Sequence, residues 1–168
     1  MLELKGISAA YGSVPAISHV SININAGEAV GLLGANGAGK STTLRAISGL
    51  VALSSGSISF DGIDVGSLPP HKIPELGIAH VPEGRQVFPE MTVQENLEIG
   101  AFVPKAKAER AKTMELVYDI FPRLAERKRQ TNHQIGSDLA DDVFRDSIGI
   151  GELLWHRETS ADDARARQ

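Results

Sequence analysis

The sequence predicts an α/β fold, and three observations carry that prediction. Gly34-Ala35-Asn36-Gly37-Ala38-Gly39-Lys40-Ser41 fits the pattern G-x-x-x-x-G-K-[S/T] of a phosphate-binding loop. Ala29 to Leu33 before it reads as a short buried strand, and Thr42 to Ser48 after it reads as the first turns of a helix. Segments that alternate with the period of a strand flank this unit, whereas the pattern beyond Thr92 is helical. With average composition, the four fixed positions of the loop arise by chance in roughly one chain of this size in a few hundred. The strand and helix on either side make coincidence rarer still.

Taken in order, Leu2 to Ser8 alternates like an antiparallel strand, and His19 to Ile24 does so again. Asn25-Ala26-Gly27 is a turn into the strand that feeds the loop, and Gly49 closes the first helix. Gly56 to Phe60 alternates, Asp61-Gly62 is a hairpin turn, and Ile63 to Val65 is the returning strand. Leu68-Pro69-Pro70 interrupts the chain before a short helical piece from Lys72 to Leu76. Gly77 to Pro82 reads as another buried strand, stopped by its proline. Thr92-Val93-Gln94-Glu95 is a capping-box signature, with Val93, Leu97 and Phe102 on one prospective buried face. A second helix is expected from Ala106 to Phe121, broken by Pro122, and Arg123 to Arg129 is a basic, exposed stretch.

A chain of 168 residues makes one domain or most of one. It holds no apolar run long enough to span a bilayer, and Met1 to Lys5 lacks a signal-peptide core. There are no cysteines, which excludes disulfides and thiolate metal sites, and five histidines show no metal-ligand spacing. The net charge of −4 argues against a general nucleic-acid binder. That charge is not spread evenly. Residues 1–135 carry 13 acidic and 13 basic side chains, whereas residues 136–168 carry 8 and 4.

The loop's residue types suit phosphate chemistry. Glycines let successive backbone N–H groups turn inward toward phosphate oxygens, and the start of the following helix adds partial positive charge. Lys40 is placed to reach the β- and γ-phosphates, and the Ser41 hydroxyl to take one position on a magnesium ion.

Beyond this loop, the blocks Ser55-Gly56, Phe60-Asp61-Gly62, Val81-Pro82-Glu83-Gly84-Arg85, Phe88-Pro89 and Thr92-Val93-Gln94-Glu95-Asn96-Leu97 give the chain a family likeness. Together with Gly34 to Thr42 they resemble the nucleotide-binding subunit of an ABC transporter. More narrowly, they resemble the ATPase subunits of branched-chain amino acid importers, the LivF type. The likeness runs from Met1 to about Gln130. It implies a P-loop NTPase fold of the ABC type, here incomplete: the β-rich N-terminal part, the core sheet and the start of the helical segment. It implies ATP and Mg2+ as cofactors, with membrane-spanning permease subunits and a second nucleotide-binding subunit as partners. It places the protein in the cytoplasm, peripheral to the inner membrane, without inserting into it.

The resemblance also assigns residues. Gly34, Ala35, Asn36, Gly37, Ala38, Gly39, Lys40, Ser41 and Thr42 would bind the phosphates, and Tyr11 stands where the family stacks an aromatic ring on adenine. Glu83 occupies the position where most such ATPases carry a glutamine near magnesium and the attacking water. A carboxylate is a competent hard-ion ligand, while the plainer reading is a solvated loop carboxylate. Phe88 and Met91 suit docking to the membrane subunit and suit core packing equally.

Departures from the family begin after Arg129. Gln130-Thr131-Asn132-His133-Gln134-Ile135-Gly136-Ser137-Asp138 stands where a Leu-Ser-Gly-Gly-Gln-like signature belongs. An apolar strand ending in Asp and Glu is missing too; Leu116-Val117-Tyr118-Asp119 lies inside a helical pattern. No residue is therefore assigned a catalytic role. Residues 1–135 are expected to form a partial nucleotide-binding domain, with its helical segment at about 92–130. Residues 136–168 are expected to be unrelated sequence from a frame error, disordered or forming a short helix near Ile148 to Trp155. Two functions stay open: an importer's ATP-binding subunit, and a non-catalytic remnant that at most binds nucleotide. A small kinase or GTPase fits less well, since the chain has no Asn-Lys-x-Asp motif and the Val81 to Leu97 block has no place there.

Overall fold

A computed structural model describes residues 1–82 and 86–131, which fall into two compact units divided between His80 and Val81. The first is built on an antiparallel sheet. Strand β1 (Leu2–Tyr11) lies between β2 (Val14–Ile24) and β3 (Leu53–Phe60), and β4 (Ile63–Asp64) flanks β3, giving the order β2-β1-β3-β4. Both early strands run longer than the alternation alone foretells. Their hairpin turns at Gly12 and Ser13, where Tyr11 pairs with Val14. The β3–β4 hairpin has the expected tight turn: Asp61 and Gly62 both take positive φ, 48° and 80°, which matches the twist of the strands they join.

The core shows why β1 cannot be read by strict alternation. Leu4, Ile7 and Ala9 are all buried, although Leu4 and Ile7 are an odd number of residues apart. Irregular register between Leu4 and Ile7 on β2, and between Lys5 and Ser8 on β3, absorbs the extra residue. Ile58 and Phe60 of β3 and Ile17 of β2 are also buried, as are Val65, Ala46, Ile47 and Ile73. Helix α1 (Lys40–Ile47) buries Thr42, Thr43, Ala46 and Ile47 and leaves Leu44 and Arg45 outward, the spacing of a one-sided helix. It ends as expected: the Leu50 N–H reaches back to the Arg45 carbonyl at 2.8 Å, around Gly49 at φ 68°. The short piece after the prolines is a 3-10 helix, Pro70–Leu76, with Ile73 buried.

Two predicted strands are absent. Residues 28–35 have no regular secondary structure and pair with no strand among the described residues, and Ala29 to Leu33 are exposed rather than buried. Leu33 is 97% exposed, Val30 44% and Leu32 36%. Residues 78–82 likewise form no strand, and Val81 is half exposed. The apolar runs are real, but burial of a parallel-type strand requires neighbours on both sides and cover on both faces. None is supplied among the described residues.

The second unit is helical. Helix α2 (Val93–Gly100) starts with the predicted capping box: the Thr92 Oγ1 accepts from the Glu95 N–H at 3.2 Å, and the Thr92 N–H donates to Glu95 Oε2 at 2.8 Å. Helix α3 (Pro104–Ile120) begins two residues before the predicted start, with proline in its first turn. Pro122 does stop α3, but it also opens α4 (Pro122–Glu126), which buries Leu124 within the stretch expected to be wholly exposed. Val93 is buried as expected, Leu97 is half-buried, and Phe102 is exposed because it lies beyond the end of α2. Backbone bonds from Val93 to the Gln130 carbonyl and from Gln94 to the Lys128 carbonyl tie the start of α2 to the chain after α4. Leu116 to Asp119 are helical, so this stretch is not a magnesium-binding strand. Residues 132–168, and with them the expectations for the tail, lie outside the described residues.

Candidate phosphate-binding site

The loop from Gly34 to Gly39 enters α1 without any side-chain cap, and Gly39 is the residue that makes the entry. Its φ of 86° lies in the left-handed region. A side chain there would also collide with β2, since a Cβ atom would sit 2.4 Å from Ile17 Cγ2 and 2.8 Å from the Ala16 carbonyl oxygen. Glycine thus lets the loop lie against the sheet. Helix geometry gives the N–H groups of a first turn no intrahelical acceptor, and these groups concentrate partial positive charge at the helix start.

Lys40 is the first residue of α1, and its side chain folds back over the loop. Nζ donates to the Gly34 carbonyl at 2.7 Å and to the Ala35 carbonyl at 2.9 Å. Two of three ammonium donors are so engaged, which fixes the charge above the loop and leaves one direction for an anion. Ser41 and Thr42 follow on the same first turn; Ser41 is half-buried and Thr42 is 8% exposed. The Thr43 hydroxyl bonds to the Gly39 carbonyl at 3.0 Å, and its backbone N–H does so at 2.8 Å, bracing the turn from within. The arrangement puts one cation beside a helix start, groups whose charge suits a polyanion.

Tyr11 lies beside this helix. Arg45 Nη1 donates to the Tyr11 hydroxyl at 3.4 Å, and hydrogen bonds from Arg45 first and Thr42 second hold its phenol below the usual tyrosine range. The ring remains 48% exposed. The structure therefore sets Tyr11, at the end of β1, beside the helix that carries Lys40 to Thr42, whereas Glu83 lies outside the described residues. Arg45 escapes a reading of the sequence. Its spacing of three from Thr42 puts both on one helix face, but nothing in the chain order shows that Tyr11 meets that face.

In the helical unit, Asn96 carries a second feature that the sequence did not disclose. Its amide nitrogen donates to the carbonyls of Phe88 at 3.1 Å, Met91 at 3.3 Å and Thr92 at 3.0 Å, while its Oδ1 accepts from the Phe88 N–H at 2.8 Å. This one side chain shapes the loop that holds Phe88 half exposed and Met91 half-buried. Among the described residues, no group of three or more His, Asp or Glu is placed to hold a metal ion. None of their helices is long and apolar enough to cross a membrane.

Known proteins bear out the likeness to ABC transporter ATP-binding proteins. The family described as ABC transporter matches residues 17–146. The branched-chain amino acid transport ATP-binding protein BraG of Pseudomonas aeruginosa is 44% identical over 130 residues, which are 77% of this chain and 55% of that protein. The probable LivF protein of Archaeoglobus fulgidus, named for the same transport, is 36% identical over 74% of this chain and 52% of its own. The lipopolysaccharide export ATP-binding protein LptB of Haemophilus influenzae is 41% identical over a shorter part, 58% of this chain and 40% of its own. A solved ATP-binding subunit of an ABC transporter superposes with a TM-score of 0.72 at 29% identity, covering 86% of this chain and 59% of that one. The chain spans about half the length of the curated relatives it matches. Its fold is that of the ABC nucleotide-binding cassette, and the chain belongs to the ABC transporter family.

Proposed function

We propose that this chain is the ATP-binding part of an ABC transporter subunit of the branched-chain amino acid import type. The observation that carries this is the Lys40 ammonium fixed over a glycine-lined loop at an uncapped helix start. Gly34, Ala35, Asn36, Gly37, Ala38, Gly39, Lys40, Ser41 and Thr42 would hold the phosphates, with Tyr11 under the adenine. Ser41 offers a hydroxyl oxygen suited to Mg2+, and Glu83 is the second proposed metal-linked residue. A bound magnesium ion would supply charge neutralisation at the phosphate oxygens. Substrate type rests on the names of the BraG and LivF relatives, while the LptB relative is named for another cargo. Permease subunits and a second cassette are the proposed partners, at the cytoplasmic face of the inner membrane.

A second reading is favoured by a specific stretch. Gln130 to Asp138 carries no Leu-Ser-Gly-Gly-Gln-like sequence, so these 168 residues are proposed to bind nucleotide without turning it over by themselves. In that reading residues 1–135 form the nucleotide-binding module and residues 136–168 add nothing to it. Calorimetry tests the binding claim. Lys40→Ala should weaken Mg-ATP binding by about tenfold or more, the size of a charged hydrogen bond lost. Equal affinity in both forms, or no binding by the unaltered chain, would overturn it.

A further inference from the structure

Tyr11 is held at both ends. Its backbone closes the β1–β2 hairpin opposite Val14, and its hydroxyl meets Arg45 and Thr42 on α1. Between these two fixings the ring keeps about half of its surface in water. A long side chain fixed at both ends has surrendered most of its rotamer freedom before any ligand arrives, so stacking on it has less ordering to pay for. The fixing partner also matters. Arg45 lies five residues beyond Lys40 on the same helix, about 7.5 Å along its axis. The helix whose start faces the phosphates thus sets the position of the ring.

We propose that Arg45 is a positioning residue that presets Tyr11 as the platform for a nucleotide base, at a fixed distance from the phosphate loop. The inference rests on the nucleotide-binding reading of Gly34 to Thr42 and extends it: Arg45 contributes to recognition of the base while leaving the polyphosphate untouched. A tie that merely braced the hairpin against the helix would affect every ligand of the loop alike. Selectivity between a nucleotide and a bare polyphosphate separates the two roles.

The test uses the whole chain, with Mg-ATP and Mg-tripolyphosphate as probes in calorimetry. Arg45→Met, which keeps the aliphatic stem, should weaken Mg-ATP binding about three- to tenfold. It should leave tripolyphosphate affinity unchanged. Tyr11→Phe should weaken Mg-ATP binding at least as much, since it removes the Thr42 bond as well, and the double variant should be no weaker than Tyr11→Phe alone, because the Arg45 bond is already gone there. Arg45→Lys should recover part of the loss, having the charge without the planar fork. Lys40→Ala should weaken both probes. A parallel loss of both probes in Arg45→Met would overturn the proposal and make Arg45 a phosphate ligand or a structural brace. Unchanged ATP affinity in Arg45→Met, with Lys40→Ala impaired, would overturn it alone. No binding of either probe by the unaltered chain would overturn the nucleotide reading together with it.

A spectroscopic measurement does not depend on ligand. The chain has two tyrosines, and burial followed by the Glu98 charge raises the Tyr118 phenol while Tyr11 is lowered. Ultraviolet titration should therefore show two separate steps. The earlier step should move to higher pH in Arg45→Met and vanish in Tyr11→Phe. An earlier step unmoved by Arg45→Met would mean that the bond is not made in solution, and would overturn the proposal.

Discussion

The strands of the antiparallel sheet and the run into the phosphate loop both carry large apolar residues, yet these meet opposite fates. Leu4, Ile7 and Ile58 are fully buried in a sheet where β1 pairs with β2 through a hairpin and with the distant β3 on its other side, Leu4 opposite Ile58. Val30, Leu32 and Leu33, equally apolar, stand in water. The difference lies in whether partners are present. Strand β1 is paired on both sides, whereas residues 28–35 pair with no strand among the described residues, and burial of a parallel-type strand needs neighbours and cover on both faces. The phosphate loop, by contrast, leans on β2 through Gly39 and is tied by its own lysine.

Substitution should expose this contrast most strongly. Ile58→Ala should lower unfolding stability by about 2–5 kcal/mol, the cost of emptying a well-packed apolar site. Leu33→Ala, at a residue almost wholly in solvent, should change it by less than about 0.5 kcal/mol. Denaturant titration of both variants checks the pair. Similar losses would mean that residues 29–33 are buried in solution and that the contrast is false.

The helical unit sharpens the same lesson at smaller magnitude, because its first turn is specified locally. Thr92→Ala should cost about 1 kcal/mol, the usual effect of losing an N-cap side chain. The reciprocal bond to Glu95 gives the cap a pH signature. Bonds from the Thr92 backbone first and its hydroxyl second hold the Glu95 carboxyl below the ordinary glutamate range. A depressed folded-state value means that this contribution is complete above the ordinary glutamate pKa and disappears as pH falls through the lowered one. Thermal unfolding of wild type and Glu95→Gln should therefore differ at neutral pH and converge in acid. Curves that stay equally separated down to the most acidic point would contradict the bond.

Legibility in the sequence follows the same division. The Asp61-Gly62 turn, the Thr92 cap, the Gly49 helix end and the Gly34 to Ser41 loop were readable because each is decided by neighbouring residues. Burial of Ala29 to Leu33 and of Gly77 to Pro82 is not decided by pattern alone, since apolar character states a need for partners without supplying them. The irregular register between Leu4 and Ile7 was hidden because alternation on either side of it looks regular. Phe102 was misplaced by extending a helical face past the end of its helix. At the site, the glycine turn that enters a helix is legible in the loop itself. The meeting of Tyr11 with Arg45, and the fixing of the Phe88 loop by Asn96, arise from tertiary or loop geometry that no local pattern encodes.

Segment-resolved hydrogen exchange, with and without Mg-ATP, tests the central contrast most directly. Exchange reports local opening, so amides in hydrogen-bonded strands should be slow and those without partners fast. Without nucleotide, β1 and β3 should be protected and residues 28–33 should exchange rapidly; Mg-ATP should then add protection across residues 34–43. Residues 28–33 as slow as β1 before any nucleotide is added would contradict the account, because that run would then already have the partners it is said to lack.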